Sequence, residues 1–215
     1  MAALLQAWDY AVRHQDRFWR NVAIHLELSA LALAIAAMLG IGAGILLSRY
    51  RRAAFAIINA AALGRTIPIL AILAMLLPVL GIGFRPALVA LILIAIPPIL
   101  INTYVGLTEV DKEYVEAATG MGMNTWQRLK RVELPLVVPV VFAGLRTSAV
   151  TVVASATLAT FIGAGGLGDF IQAGIAMNDS AQLLVGALPV AAGAVFIDWI
   201  FGACERLFTP KGLRV

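Results

Sequence analysis

Cysteine occurs once in this 215-residue sequence, at Cys204, and histidine twice, at His14 and His25. One thiol excludes an internal disulfide and any multi-cysteine metal site, and two histidines are too few for a metal centre of their own. Charge is scarce as well: Asp, Glu, Lys and Arg make up 13% of the residues, where soluble domains carry about 25%. The Walker sequence G-x-x-x-x-G-K-[ST] is absent, so P-loop nucleotide hydrolysis is not expected of this chain. A basic n-region followed by a short apolar run and a cleavage site is also missing, and no removed signal peptide is expected.

What fills the chain instead is apolar sequence. Hydrophobic residues make up 61% of it, in runs near or above the roughly 20 residues that cross a hydrocarbon core. The sequence reads as an all-α polytopic membrane protein with room for five spans and for no soluble domain of ordinary size. In such a chain a net charge of +4 sets topology, and no nucleic-acid partner is expected.

Segment 1–25 mixes Trp8, Tyr10, Phe18 and Trp19 with Arg13, Asp16, Arg17 and Arg20. It suits either a helix lying at the membrane interface or a solvated leader. The first span is expected from about Leu26 to Ser48, stopped by Arg49-Tyr50-Arg51-Arg52. Within it, Gly40 and Gly44 form a small-xxx-small pair that admits a close helix neighbour. A second apolar stretch, 53–80, is interrupted by Gly64-Arg65-Thr66-Ile67-Pro68. Pro68 lacks a backbone donor and clashes with the preceding turn, so the helix breaks there. Broken helices at membrane depth line cavities, and Arg65 beside the break points to a watery path. The alternative is a surface helix over 53–63 from which Arg65 snorkels.

Three more spans are expected: Pro86 to Leu107 with Pro97-Pro98 inside, Leu134 to Ala159 with Arg146 near its middle, and Leu183 to Cys204. Arg146 is expected in the protein interior because it lies deep in its span, whereas Glu27 and Asp198 read as structural charges. A bare Arg146 would make a cationic route that repels choline and tolerates a zwitterion. The Gly-rich stretch 161–180 contains Gly163-Ala164-Gly165-Gly166-Leu167-Gly168, which fits G-x-G-x-x-G. That dinucleotide fingerprint needs a preceding strand, so a flexible external turn is expected instead.

The polar stretch 111–135, DKEYVEAATGMGMNTWQRLKRVELP, has spans on both sides. Asp111 suits an N-cap, and Glu113 and Glu116 complement the helix dipole in the first two turns. Tyr114, Ala117, Ala118 and Met121 fall on one face, kept small by its alanines so that a partner can approach. Gly120 and Gly122 end this helix, and Asn124 or Thr125 caps a second one bearing Trp126, Leu129 and Val132. Pro135 opens the next membrane helix, where its missing N–H costs nothing. The expected product is two short helices at an angle, a knob for docking. Placing it inside the cell puts ten cations with it against four outside, Arg13, Arg17, Arg20 and Arg85. The N-terminus is then outside and the C-terminus inside.

Glu116-Ala117-Ala118, three residues, Gly122, nine residues, then Val132-x-Leu134-Pro135, resembles the EAA coupling motif of ABC importer permeases, with Val132 where isoleucine is usual. In that family the loop sits in a groove of the ATP-binding subunit. By position, Glu116, Ala117, Ala118 and Gly122 would form the docking knob, with Val132 and Leu134-Pro135 its stem. Over about 22–207, Thr66-Ile67-Pro68, Pro97-Pro98, the run 115–135 and the glycine segment resemble osmoprotectant (glycine betaine, carnitine, choline, proline) importer permeases. The resemblance implies a type I, methionine-permease-like fold with a transmembrane domain over 26–207, a coupling loop at 108–133 and a cytoplasmic tail at 208–215. It further implies a prokaryotic cytoplasmic-membrane location, ATP-binding subunits, a second permease and an external solute-binding protein. ATP and Mg²⁺ would sit on the partner ATPase, so this chain is not an enzyme and needs no cofactor. Arg65, Thr66, Pro68 and Arg146 are the expected pathway residues. The alternatives are a methionine or other amino-acid permease, an ion-driven transporter, and a membrane scaffold.

Overall fold

The computed structural model describes residues 2–209, whose regular elements are all helical. The expectations placed on Lys211 and Arg214 fall outside those residues. α1 (Ala2–Arg13) is a separate helix, and α2 (Gln15–Arg49) then runs 35 residues without a break. The helix of the first span thus begins at Gln15, not near Leu26. Nothing between Gln15 and Leu39 is glycine or proline, so the backbone has no reason to stop where the charges do. Charge sets how deep a helix sits, not where it starts.

Tyr50 separates α2 from α3 (Arg51–Gly64), and a four-residue break leads to α4 (Ile69–Leu80). The two axes meet at 100°. Pro68 is extended at the corner, and the Thr66 hydroxyl donates to Leu63 O at 2.8 Å. The expected break is therefore real. Among the described residues, four helical stretches are long and apolar enough to cross a membrane, and the bent pair makes five if it crosses as one span.

α5 (Phe84–Thr108) is the central span and carries Pro97 and Pro98 without breaking. α2 packs on one side of it and α8 (Leu134–Ser155) on the other, each through glycine. A Cβ at Gly44 would fall 2.6 Å from Thr103 Cβ, and one at Gly144 would fall 2.8 Å from Pro98 O. Small residues let backbones approach where lipid gives helices no hydrophobic reason to associate. Dispersion and a few polar links do the holding, among them Ser148 Oγ donating to Ala95 O at 2.8 Å across the α5–α8 contact.

After α8 the chain tightens into a 3₁₀ segment, Ala156–Ile162, and turns through Gly163, Gly165 and Gly166, all at positive φ. It then forms a short helix, α9 (Gly168–Ala176), before α10 (Ser180–Phe208). The stretch expected to be a flexible turn is a packed hairpin. Phe170 is fully buried there, with Tyr10 edge-on at 6.4 Å and the Arg17 guanidinium 5.0 Å above its ring. No strand precedes the glycines among the described residues, in keeping with the rejected dinucleotide reading.

Candidate functional site

Two short helices, α6 (Lys112–Gly120) and α7 (Thr125–Arg128), form the knob. Asp111 caps α6, its carboxylate accepting from Glu113 N at 3.0 Å. Gly122 ends it at φ +78, with Met123 N donating to Ala118 O and Gly122 N to Thr119 O. That pair of bonds is a Schellman motif with Gly122 at its left-handed position, which gives a glycine at this spacing from Ala118 a physical reason. Asn124, not Thr125, caps α7, exchanging bonds with Gln127 in a capping box at 2.9 and 3.0 Å.

Glu116, Ala117, Tyr114, Met121, Gly122 and Trp126 are exposed, and Lys130 lies 4.8 Å above the Trp126 ring. Ala118 is fully buried within the chain. Only one of the two alanines is thus open to a partner, while the other lets α6 sit down on its own stem. Val132, Leu134 and Pro135 are half-buried in that stem.

The stem differs from the two-helix picture. α7 passes into a π-helical turn, Leu129–Glu133, and straight into α8, giving a 38-residue helical path from Thr125 to Ile162. Pro135 cannot donate to a carbonyl four residues back and would crowd it in regular α geometry. The wider turn takes up the mismatch, with Leu134 N reaching back five residues to Leu129 O. Pro135 therefore lies within a continuous helix, not at a fresh start.

The continuous register turns Glu133 inward, where it is 4% exposed. Arg49, at the end of α2, holds both its oxygens, at 2.5 and 3.4 Å, and Arg128 Nε donates to Oε1 at 2.8 Å. Arg128 Nη1 also reaches Thr119 Oγ1 of α6 at 3.4 Å. One carboxylate thus ties the knob to the far end of the first span. None of Arg49, Arg128 and Glu133 stood among the expected site residues. The signal was the i, i+4 spacing of Leu129, Glu133 and Val137, all buried, since a carboxylate in a buried stripe requires cations.

Arg65, Thr66 and Pro68 are exposed at the corner between α3 and α4. Arg146 is not bare. Its Nε and Nη2 donate to Asp198 Oδ1 and Oδ2 on α10, both at 2.5 Å. Asp198 is accordingly its partner across helices, and Arg146 is no unpaired cation that could repel choline on its own. A further polar stripe on α2, Asn21, His25 and Ser29, is buried, with His25 Nε2 3.0 Å from Val153 O.

Comparison with known proteins places this geometry. The family model described as "binding-protein-dependent transport system inner membrane component" matches residues 36–209. The glycine betaine/carnitine/choline transport system permease protein OpuCB of Bacillus subtilis is 41% identical over 190 residues, covering 88% of each chain. The carnitine transport permease protein OpuCB of Listeria monocytogenes is 43% identical over 196 residues, 91% of this chain and 88% of that one. In solved structures, an inward-facing MetNI methionine ABC transporter superposes with a TM-score of 0.79 at 22% identity, over 92% of this chain and 99% of that one. At that identity the likeness shows the shared fold alone.

Proposed function

We propose a function that proceeds from one fact: this chain belongs to the binding-protein-dependent transport system inner membrane component family. It is the permease subunit of an ABC importer for osmoprotectant solutes of the glycine betaine, carnitine and choline type. Relatives near 40% identity that span almost the whole chain carry that reading. ATP hydrolysis belongs to a partner chain. The methionine alternative rests on a likeness of fold at 22% identity and is the weaker one.

The knob, with Glu116, Ala117, Ala118 and Gly122 over the stem of Val132, Leu134 and Pro135, docks on the ATP-binding subunit. Five spans, counting α3–α4 as one, form half a route, and a second permease copy or homologue supplies the other half. Arg65, Thr66, Pro68 and Arg146 border that route. A solute-binding protein delivers from outside, where the N-terminus lies, and closure of the ATPases shifts the helices between outward- and inward-open populations.

Gly122 provides the test. A Cβ there meets nothing within 4 Å, so a side chain strains only the φ of +78, about 1–2 kcal/mol. Gly122→Trp is expected to leave the permease folded in detergent and to release a co-purifying ATPase. An ATPase that stays bound, or none with the wild type, overturns the docking assignment. Orientation is tested separately. In a Cys204→Ser background, Met121→Cys is expected to resist a membrane-impermeant maleimide in intact cells and to label after permeabilisation. Labelling from outside reverses the topology.

A further inference from the structure

We propose that Asn21, His25 and Ser29, together with the space beside Gly166, form a buried site for ordered water between α2 and the glycine hairpin. The three residues lie one turn apart on one face of α2 and are 4%, 2% and 5% exposed. One side-chain atom of each, Asn21 Nδ2, His25 Nδ1 and Ser29 Oγ, is buried without a hydrogen-bond partner among the described residues. Buried polar groups left without a partner are rare, because the cost of stripping them of water is not returned. Apolar packing closes the layer on both sides along α2. Val22 packs with Leu167 and Phe170, and Leu28 belongs to the cluster of Ile162 and Ala164. The layer lies toward the end of α2 away from Arg49, and so away from the knob. It holds whichever solute the transporter carries.

The three groups define what fits between them. Val153 O, in the last turn of α8, can only accept, so His25 Nε2 carries the proton it donates across 3.0 Å. Nδ1 of the neutral ring is then an acceptor. Asn21 Nδ2 can only donate, and Ser29 Oγ can do either. Cβ atoms one turn apart stand about 5–6 Å from each other, and the three side chains do not bond one another directly. A water lying between them accepts from one and donates to the next. Room is left where it is needed. A Cβ built on Gly166 would stand 3.4 Å from His25 Nδ1, and outside its own chain neighbours no atom comes closer. An atom of that size therefore fits beside Nδ1, a few tenths of an ångström beyond hydrogen-bond length. Gly166 sits at φ +98, where side chains are disfavoured, so the hairpin keeps this space clear. Sealed within the chain, neutral, and able both to donate and to accept, the site takes water and not a solute or an ion.

The test uses the scarcity of histidine. His14 and His25 are the only two in the chain, so the full permease, freed of any purification tag and carrying isotope-labelled histidine in lipid bilayers, gives two ring signals. His14→Gln assigns them. Magnetisation transfer from water to each ring is then measured by solid-state NMR. His25 is expected to receive transfer within about three-fold of the exposed His14, because a water in hydrogen-bond contact is its source. A His25 ring that receives none, as a dry core would leave it, overturns the site. Gly166→Ala puts a methyl group where the water sits and is expected to cut the transfer to His25 at least about five-fold. Gly163→Ala, also at positive φ but with nothing within 4 Å of its Cβ, is expected to leave it unchanged. Equal transfer in wild type and Gly166→Ala, or equal losses in the two glycine variants, overturns the site. Where Gly166→Ala fails to fold, Asn21→Leu decides the matter, since it keeps the side-chain shape and removes the donor. A fall of about two-fold or more then supports the site, and unchanged transfer overturns it. None of these readings needs an ATPase, a binding protein or a solute, so the site and the transport assignment stand or fall separately.

Discussion

Glu133→Gln is expected to leave ATP hydrolysis running while import per ATP falls at least about ten-fold. Glu133 holds two arginines from different parts of the chain, and one of them also holds α6 through Thr119. Removing one partner of a buried ion pair costs about 3–5 kcal/mol, because the other charges stay behind unpaired. Here the cost sits at the low end, since the Arg49 and Arg128 side chains are 31% and 20% exposed and water can take up part of their charge. The spans rest on other contacts, above all the glycine-mediated packing of α2 and α8 on α5, so they should hold. What is lost is the strut. If an ATPase docks on the knob as proposed, its push on α6 would reach α2 through Arg128, Glu133 and Arg49, and α2 would pass it to α5 through the close packing at Gly40 and Gly44. Without the carboxylate the knob moves and the span does not follow. Arg49→Gln removes the same link from the other side and should uncouple to a similar degree. Unchanged import per ATP in both variants sinks the strut. Failure of the Gln variant to assemble is answered by Arg49→Lys, which keeps the charge, drops the two-point grip, and should fall between the two.

The chain shows how far pattern carries in a membrane protein. The broken second stretch was legible because Pro68 acts on its own backbone, whatever surrounds it. The caps of the knob were legible for the same reason: Asp111, Gly122 and Asn124 act within a turn of themselves. The register through Pro135 was not. Read as a helix start, Pro135 detaches Leu129, Glu133 and Val137 from the span they belong to, and the buried carboxylate disappears from view. A π turn has no sequence signature, since it arises from the need to carry a proline inside a helix already committed on both sides. Which residue Asp198 pairs with escaped for a different reason. Pairing across helices depends on how α8 and α10 rotate against each other, and small residues on apolar helices leave that rotation open. Glycine was the most misleading residue of all. Away from the Gly40–Gly44 pair its sequence reading is freedom, but half of the helical glycines here mark where another backbone comes close.

Gly168→Ala therefore carries the second large expectation: loss of the folded permease, with a cost of about 3 kcal/mol or more from a single added methyl group. A Cβ at Gly168 would sit 2.0 Å from Thr157 O and 2.8 Å from Thr157 C, backbone atoms that no rotamer change can move aside. Relief requires the 3₁₀ segment and α9 to separate. They are held on the other side too, since a Cβ at Gly174 would fall 2.5 Å from Leu183 N and one at Gly186 would fall 2.6 Å from Leu167 O, both of them contacts with α10. The hairpin is clamped from two directions, and Phe170 is buried under α1 as a result. Gly163→Ala is the matched control. Its φ of +71 makes alanine unfavourable, but its Cβ would meet nothing within 4 Å, so the cost stays near 1–2 kcal/mol. Thermal unfolding followed by size-exclusion chromatography in detergent should rank wild type above Gly163→Ala and both well above Gly168→Ala. A flexible turn predicts the opposite order, because there only the backbone angle matters and Gly168 has an ordinary one. Equal midpoints for the two variants would mean that the close approach at Thr157 is not what holds the hairpin, and the stretch between α8 and α10 would return to being a loop.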